Sequence, residues 1–365
     1  MKSKVKVLNQ TPASLGLSFP AEWEPHAATW FSWPRPEGIS FPDKYQTIPA
    51  NLARIICEIA PRERVEINVP NGNVEHIVRE QLREADCPLN NVFFHHIPTN
   101  ESWCRDHGPA FVLRKDRTGK KRAAIVDWGF NAWGGKYPPY DADDAVPTAI
   151  AGELKLPVFY PGIVMEGGAV DFNGAGTILT TTACLLNKNR NPHLTKPQVE
   201  QYLKDYYGQQ HIIWLGDGIV GDDTDGHVDD LARFISPTTI VTAIEPDPKD
   251  ANHELLADNR RRLAKARDQS GRPFRIVELP MPGHIEHDNQ RLPATYVNFY
   301  FVNGALLVPT YRNRKRDREA IKILQTELPH LKVIGIDCTE LIWGLGSIHC
   351  LTQQQPAFDR AITAR

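Results

Sequence analysis

Cysteine is scarce in this chain and nowhere closely paired. The six (Cys57, Cys87, Cys104, Cys184, Cys338 and Cys350) are scattered through 365 residues with no Cys-x-x-Cys. That pattern excludes a disulfide framework and a thiolate zinc site. Charge of one sign is lacking too: a formal net charge of −2 leaves no global positive field to hold phosphates, which argues against a nucleic-acid or membrane-surface protein. No run approaches the roughly 18 apolar residues that span a bilayer. Met1 to Gln10 is polar and lacks the apolar core of a secretory signal. No Pro/Gly/Ser linker or low-complexity stretch divides the chain. The length alone suggests about two domains, but without a linker the expectation is one closed domain over residues 1–365, with an N-terminal tail free to move. The expected setting is cytoplasmic, with free thiols.

What is present is a recurring unit of helix, strand and turn-rich hairpin. Residues 73–85 put Val74, Ile77, Val78 and Leu82 on one helical face. Val92 to Phe94 and then Trp103 to Leu113 follow as extended segments. A weaker helix over 143–153 precedes a strand at 156–160 and a hairpin over 166–182, turned at Asn173-Gly174. Further on come a helix over 196–207, a strand over 212–215 and a hairpin over 227–243 interrupted at Ser236-Pro237. Then follow a helix over 252–267, a strand over 274–279 and a hairpin over 296–309 around Asn303-Gly304. The chain ends with a helix over 316–328, a strand over 332–336 and the Cys350 segment. A spacing of roughly 50 to 75 residues predicts a repeat architecture. The last unit has one hairpin strand only, and residues 27–33 could supply the other and close a ring. The helix over 50–60 and the strand over 65–69 fit the scheme less neatly.

Within that repeat, Asp106, Glu166, His227 and Cys350 each stand at or near the start of a hairpin, and Asn298 holds the corresponding place in the remaining unit. Equivalent positions in a ring point at a common axis, so these residues are expected to meet there. Cys350 alone would read as an inert buried thiol; its company changes that. A thiol, an imidazole and several carboxylates suit nucleophilic attack on a cationic carbon. Two carboxylates match the parallel hydrogen bonds of a guanidinium fork, so Asp106 and Asp229 could grip one over the Cys350 sulfur. In an extended strand His227, Asp229 and Asp225 would share a face, while His349 would point away from Cys350 and serve a structural role. His227 is placed to protonate a departing nitrogen and then to activate water. Glu166 would orient that imidazole or anchor another substrate nitrogen. Trp103, three residues before Asp106, offers a face on which a planar cation could stack. Asp223 and Asp225, in the acidic run 222–225, either neutralise a second positive charge or belong to a solvated loop. Such chemistry needs no metal and no cofactor.

Long ordered strings then resemble the agmatine deiminase family, within the guanidino-modifying enzymes that include peptidylarginine and arginine deiminases. They are Pro20-Ala21-Glu22-Trp23-Glu24-Pro25-His26, Trp103-x-Arg105-Asp106-x-Gly108-Pro109, Trp128-x-Phe130-Asn131-Ala132-Trp133-Gly134-Gly135 and Glu166-Gly167-Gly168. Leu185 to Leu194, Gly221 to Asp229, Tyr296 to Tyr300 and Ile348-His349-Cys350-x-Thr352-Gln353-Gln354 continue the match. The resemblance implies a five-bladed α/β propeller of the pentein type. It also implies Cys350 as nucleophile, His227 as acid and base, Glu166 as its partner, and Asp106 and Asp229 as guanidinium anchors. Trp103, Asp223, Asp225 and Asn298 are the further substrate-binding candidates. Where the family usually has Gly-Gly-Gly-Asn before the nucleophile, this chain has Gly344-Leu345-Gly346-Ser347, and Cys104-Arg105 also departs from the more usual local sequence. The expected reaction converts agmatine to N-carbamoylputrescine and ammonia, a step of polyamine biosynthesis. The rivals are a peptidylarginine or free-arginine deiminase, an amidinotransferase, and a catalytically inactive propeller that binds partners. The expected partner is a small cationic guanidino compound, with a homo-oligomer left open.

Overall fold

The structure, a computed structural model, describes residues 5–41 and 44–362. The fold is mixed α/β. Its helices begin and end where local chemistry dictates. Asn71 caps Gly72–Glu84, its side chain accepting from the backbone N–H of Asn73 and Val74. Thr195 and Gln198 form a capping box at the start of Lys196–Tyr207, and Gly208, at φ 67°, ends it in the left-handed region. Burial differs between helices: most of Ile48–Ile59 is buried, but only a narrow stripe of Gly72–Glu84 is. That stripe consists of Val78 and Leu82, whereas Ile77, expected on the same face, is 54% exposed.

Five sheets repeat one pattern: an antiparallel pair whose second strand runs parallel to a third strand beyond a helix. In chain order the first comprises Ala110–Lys115, Lys121–Val126 and Val158–Phe159. Val170–Phe172, Thr177–Thr181 and His211–Leu215 form the second. Ala232–Ser236, Thr239–Ile244 and Arg275–Pro280 form the third. The fourth is Tyr300–Val302, Ala305–Thr310 and Lys332–Asp337. The fifth joins the two ends of the chain. Gln353–Pro356 pairs antiparallel with His26–Ser32, which runs parallel to Arg64–Val69, followed by Val92–His96. The strand near the amino end therefore completes the last hairpin. The helix Ile48–Ile59 and strand Arg64–Val69, which had fitted the repeat less neatly, are that unit's crossover and third strand. Each sheet is open.

Residues 1–4 of the expected tail lie outside the described residues. From there the chain is tied down, with Leu8 N donating to Val158 O and Val158 N to Lys6 O, both near 2.9 Å. A two-stranded hairpin, Glu286–His287 with Gln290–Arg291, stands apart from the repeat and was not foreseen. Among the described residues no helix is long and apolar enough to cross a membrane.

The entry to each hairpin is where extended readings fail. Cys104–His107 and Ile348–Leu351 are single helical turns, and Val228–Asp230 is a 3-10 turn. Asp225 sits at φ 65°. His227, Asp229 and Asp225 thus do not share a strand face. Tight turns at these points swing side chains toward the centre, where an extended strand would send alternate ones away.

Candidate active site

Each of these turns delivers one group to a common centre. Gly168 makes the convergence plain, because a Cβ there would lie 2.5 Å from His227 Nδ1, 2.9 Å from Asp106 Oδ1 and 3.1 Å from Asp229 Oδ2. Three of the expected residues, from the first and third units, thus surround a single glycine of the second. Gly168 N donates to Asp106 Oδ1 at 3.0 Å. The other oxygen, Oδ2, accepts from Trp133 Nε1 at 2.9 Å. Trp133 reaches it from a left-handed stretch, since Ala132, Trp133, Gly134 and Gly135 all have positive φ. A left-handed conformation costs a non-glycine residue about 1–2 kcal/mol, and strain of this kind clusters at functional sites.

His227 stands between two carboxylates, Nδ1 3.7 Å from Asp106 Oδ1 and Nε2 3.9 Å from Glu166 Oε2. Both ring nitrogens are buried and have no hydrogen-bond partner. Burial works against charge on this ring, but Asp106, aided by Cys184 and Glu166, outweighs it and raises the pKa well above the ordinary range. Glu166 in turn accepts from Arg190 Nε at 2.6 Å. Burial pushes its carboxyl up, yet Arg190 and then His227 bring the net shift below the ordinary value.

The nucleophile candidate lies across this group. Cys350 Sγ is 3.9 Å from Asp229 Oδ2 and accepts from Asn298 Nδ2 at 3.2 Å. Burial drives its thiol well above the ordinary range, and Asp229, Asp230 and Asp106 push the same way. Asp229 and Asp230 are forced apart. Burial opposes ionisation at both, but His349 brings Asp229 below its usual value, whereas Asp230, beside Asp229 and Asp222, is raised far above it. Asp229 Oδ1 is buried and unpartnered. A buried carboxylate oxygen without a partner is costly; a guanidinium would supply the donor that Asp229 Oδ1 lacks.

A pocket of about 180 Å³ leads to Cys350 and Asp106, with Trp103, Trp133, Tyr137 and Trp343 among its walls. Asp223 lies on it, bonded by Tyr137 OH and 3.2 Å from Lys136 Nζ. Trp103 Nε1 donates to Ser40 Oγ at 2.7 Å, and its ring packs so closely under Gly346 that a Cβ there would come within 2.5 Å. The departure from the family pattern falls on this wall, where Leu345 adopts φ 68°, a conformation glycine takes freely.

Two candidates do something other than expected. Asp225 is outside that pocket's lining, its carboxylate held by Arg190, Asn189 and Lys136. It anchors Arg190, which holds Glu166. Asn298 uses its amide on the nucleophile turn, its oxygen accepting from Ser347 Oγ at 2.8 Å and His349 N at 3.1 Å. Sequence reasoning named neither Trp133 nor Gly168, Asp230 or Arg190 as site residues. Trp133, Gly168 and Arg190 lie within the quoted strings and Asp230 directly follows one, the one signal available.

A sequence model described as Porphyromonas-type peptidyl-arginine deiminase matches residues 18–356. The chain belongs to that family. It is 36% identical over 378 residues to the agmatine deiminase of Medicago truncatula, covering 96% of this chain and 99% of that one. Among solved structures of this family's fold, the agmatine deiminase of Enterococcus faecalis superposes with a TM-score of 0.89 at 32% identity, over 96% of this chain and 99% of that one. An agmatine deiminase of C. jejuni with substrate bound gives 0.83 at 32% identity, over 94% and 97%.

Proposed function

We propose that the chain is an agmatine deiminase: it hydrolyses the guanidinium of agmatine to N-carbamoylputrescine and ammonia through a covalent adduct on Cys350. The observation that carries this reading is the cluster around Gly168, where Asp106, Asp229 and His227 converge beside the Cys350 thiol with buried polar atoms left unpaired. Full-length similarity to agmatine deiminases supports it.

In this reading the guanidinium enters between Asp106 and Asp229 and places its central carbon over Cys350 Sγ. The substrate's charge offsets the carboxylates that hold the thiol protonated, so binding favours the thiolate. Attack by sulfur forms the C–S bond. His227, kept charged by Asp106 and Glu166, gives its proton to the departing nitrogen, and the C–N bond breaks to release ammonia. The neutral ring then takes a proton from water, whose oxygen attacks the thiouronium carbon. The C–S bond breaks, the thiol returns and the urea leaves. At the other end the ammonium meets Asp223 and the aromatic walls. Among the described residues no arginine or lysine lines this pocket to receive an α-carboxylate, and Asp223 would repel one.

The five like sheets, joined end to end by the pairing of Gln353–Pro356 with His26–Ser32, support a five-bladed propeller of the pentein type, closed as one domain around the site. Six unpaired cysteines suit a reducing compartment, the cytoplasm. The test is ammonia release from agmatine, free arginine and a blocked arginyl peptide in one buffer. A much higher kcat/KM for agmatine is expected. Equal or greater efficiency on the peptide would overturn the substrate assignment and leave the thiol chemistry standing.

A further inference from the structure

We infer that Glu22 and His349 are positioning residues for this reaction, forming a tether that fixes the orientation of the Asp229 carboxylate beside Cys350. The inference rests on the reading above, in which Asp229 grips the guanidinium.

Glu22 lies ahead of the first strand, is 5% exposed, and is bonded from four separate stretches of chain. Its Oε1 accepts from Phe301 N at 2.9 Å, and its Oε2 from Arg233 Nη2 at 2.8 Å and Arg105 Nη2 at 3.4 Å. Oε2 also lies 2.8 Å from His349 Nε2. Burial opposes its ionisation, but Arg233, His349 and Arg105 together hold its carboxyl well below the ordinary range. A carboxylate so held has one available orientation.

The imidazole carries that constraint inward. His349 Nδ1 is 2.6 Å from Asp229 Oδ2, so each ring nitrogen faces a carboxylate oxygen and the ring cannot turn without losing both contacts. With Oδ2 bonded to His349, Asp229 keeps Oδ1 as a buried oxygen with no hydrogen-bond partner. An ion-pair network serving stability alone would be complete without this last contact, since Arg233 already pairs with Glu22 and with Asp171 at 2.8 Å each. The imidazole between Glu22 and Asp229 adds direction: it fixes how the carboxylate is turned beside Cys350 and leaves one oxygen, Oδ1, without a partner in the protein. Partners of this outer kind that orient a binding group cost about 10- to 100-fold when removed.

The test uses full-length Cys350→Ser protein, which cannot form the thiouronium adduct, with agmatine affinity read by calorimetry. Adding Glu22→Gln or His349→Gln should weaken binding about 10- to 100-fold, and Asp229→Asn at least as much. Glu22→Gln combined with Asp229→Asn should bind no more weakly than Asp229→Asn alone, because the tether acts only through that carboxylate. In the cysteine-intact protein, Glu22→Gln should raise KM and lower kcat together. Unchanged affinity in both single variants, or full additivity in the double variant, would overturn the tether. If Glu22→Gln fails to fold, His349→Gln decides; unfolding of both would make the role purely structural and overturn it as well. Failure of the Cys350→Ser parent itself to bind agmatine would instead refute the functional reading on which the tether rests.

Discussion

Gly168→Ala is a single-methyl change whose consequence can be worked from the geometry. The new Cβ would fall 2.5 Å from His227 Nδ1, about 0.9 Å short of ordinary contact, and would crowd Asp106 Oδ1 and Asp229 Oδ2 at 2.9 and 3.1 Å. The backbone itself is not strained, since Gly168 is not among the residues at positive φ. All the cost therefore falls on the side chains. His227 cannot swing aside, being 1% exposed with Asp106 on one side of its ring and Glu166 on the other. A displacement near 1 Å of groups that must align on a substrate costs about 100-fold in rate, and overpacking a filled interior costs about 1–3 kcal/mol of stability. The expected outcome is a kcat/KM for agmatine lowered about 100-fold, with a folded protein by circular dichroism and a lowered Tm. The assay is ammonia release with purified protein, alongside thermal melts. Activity within threefold of the parent would refute the placement of His227, Asp106 and Asp229 around this residue.

Cys350→Ala should abolish turnover while leaving the fold intact, whereas Cys104→Ala, the loss of a fully buried packing thiol, should lower Tm and spare the chemistry; ammonia release and melting curves on both variants separate the roles. His227→Ala should stall after attack, so mass spectrometry of agmatine-treated protein should show an adduct on Cys350. Asp106→Ala should weaken binding and slow the rate together, by about 1.5–3 kcal/mol for a lost charge-assisted bond. The raised thiol pKa of Cys350, caused by burial and by Asp229, Asp230 and Asp106, predicts slow alkylation by neutral iodoacetamide at pH 7 and an increasing rate as pH rises toward the thiol's ionisation. A cationic haloacetamidine brings the charge that favours thiolate, so its advantage should be largest near neutrality and shrink in alkali. Parallel pH profiles for the two reagents would contradict that.

Much of the fold could be read along the chain, because helices and strands follow from local spacing and turn chemistry. Lys196–Tyr207 is found at the range expected, and Asn173-Gly174 and Asn303-Gly304 each lie between the two strands they were expected to join. The repeat was legible for the same reason, as was the presence of a reactive residue at the start of successive hairpins. Asp106, Glu166, His227, Asp229 and Cys350 could be named from their places in that pattern and from the strings around them.

Orientation could not be read in this way. Whether His227 and Asp229 share a face depends on a 3-10 turn rather than a strand, and that choice is made by what packs against the turn. Asp225 looked like an anchor for substrate until Arg190 and Lys136 were found on it. Glu22 and His349 lie 327 residues apart in the chain and 2.8 Å apart in the fold, a contact no local spacing reports. Residue types and their order determined the reaction class this chain can support, because thiol, imidazole and carboxylate are properties of side chains. Tertiary structure alone decided which carboxylate oxygen stays free and which charge is neutralised, because burial and hydrogen bonding depend on neighbours that only folding brings together.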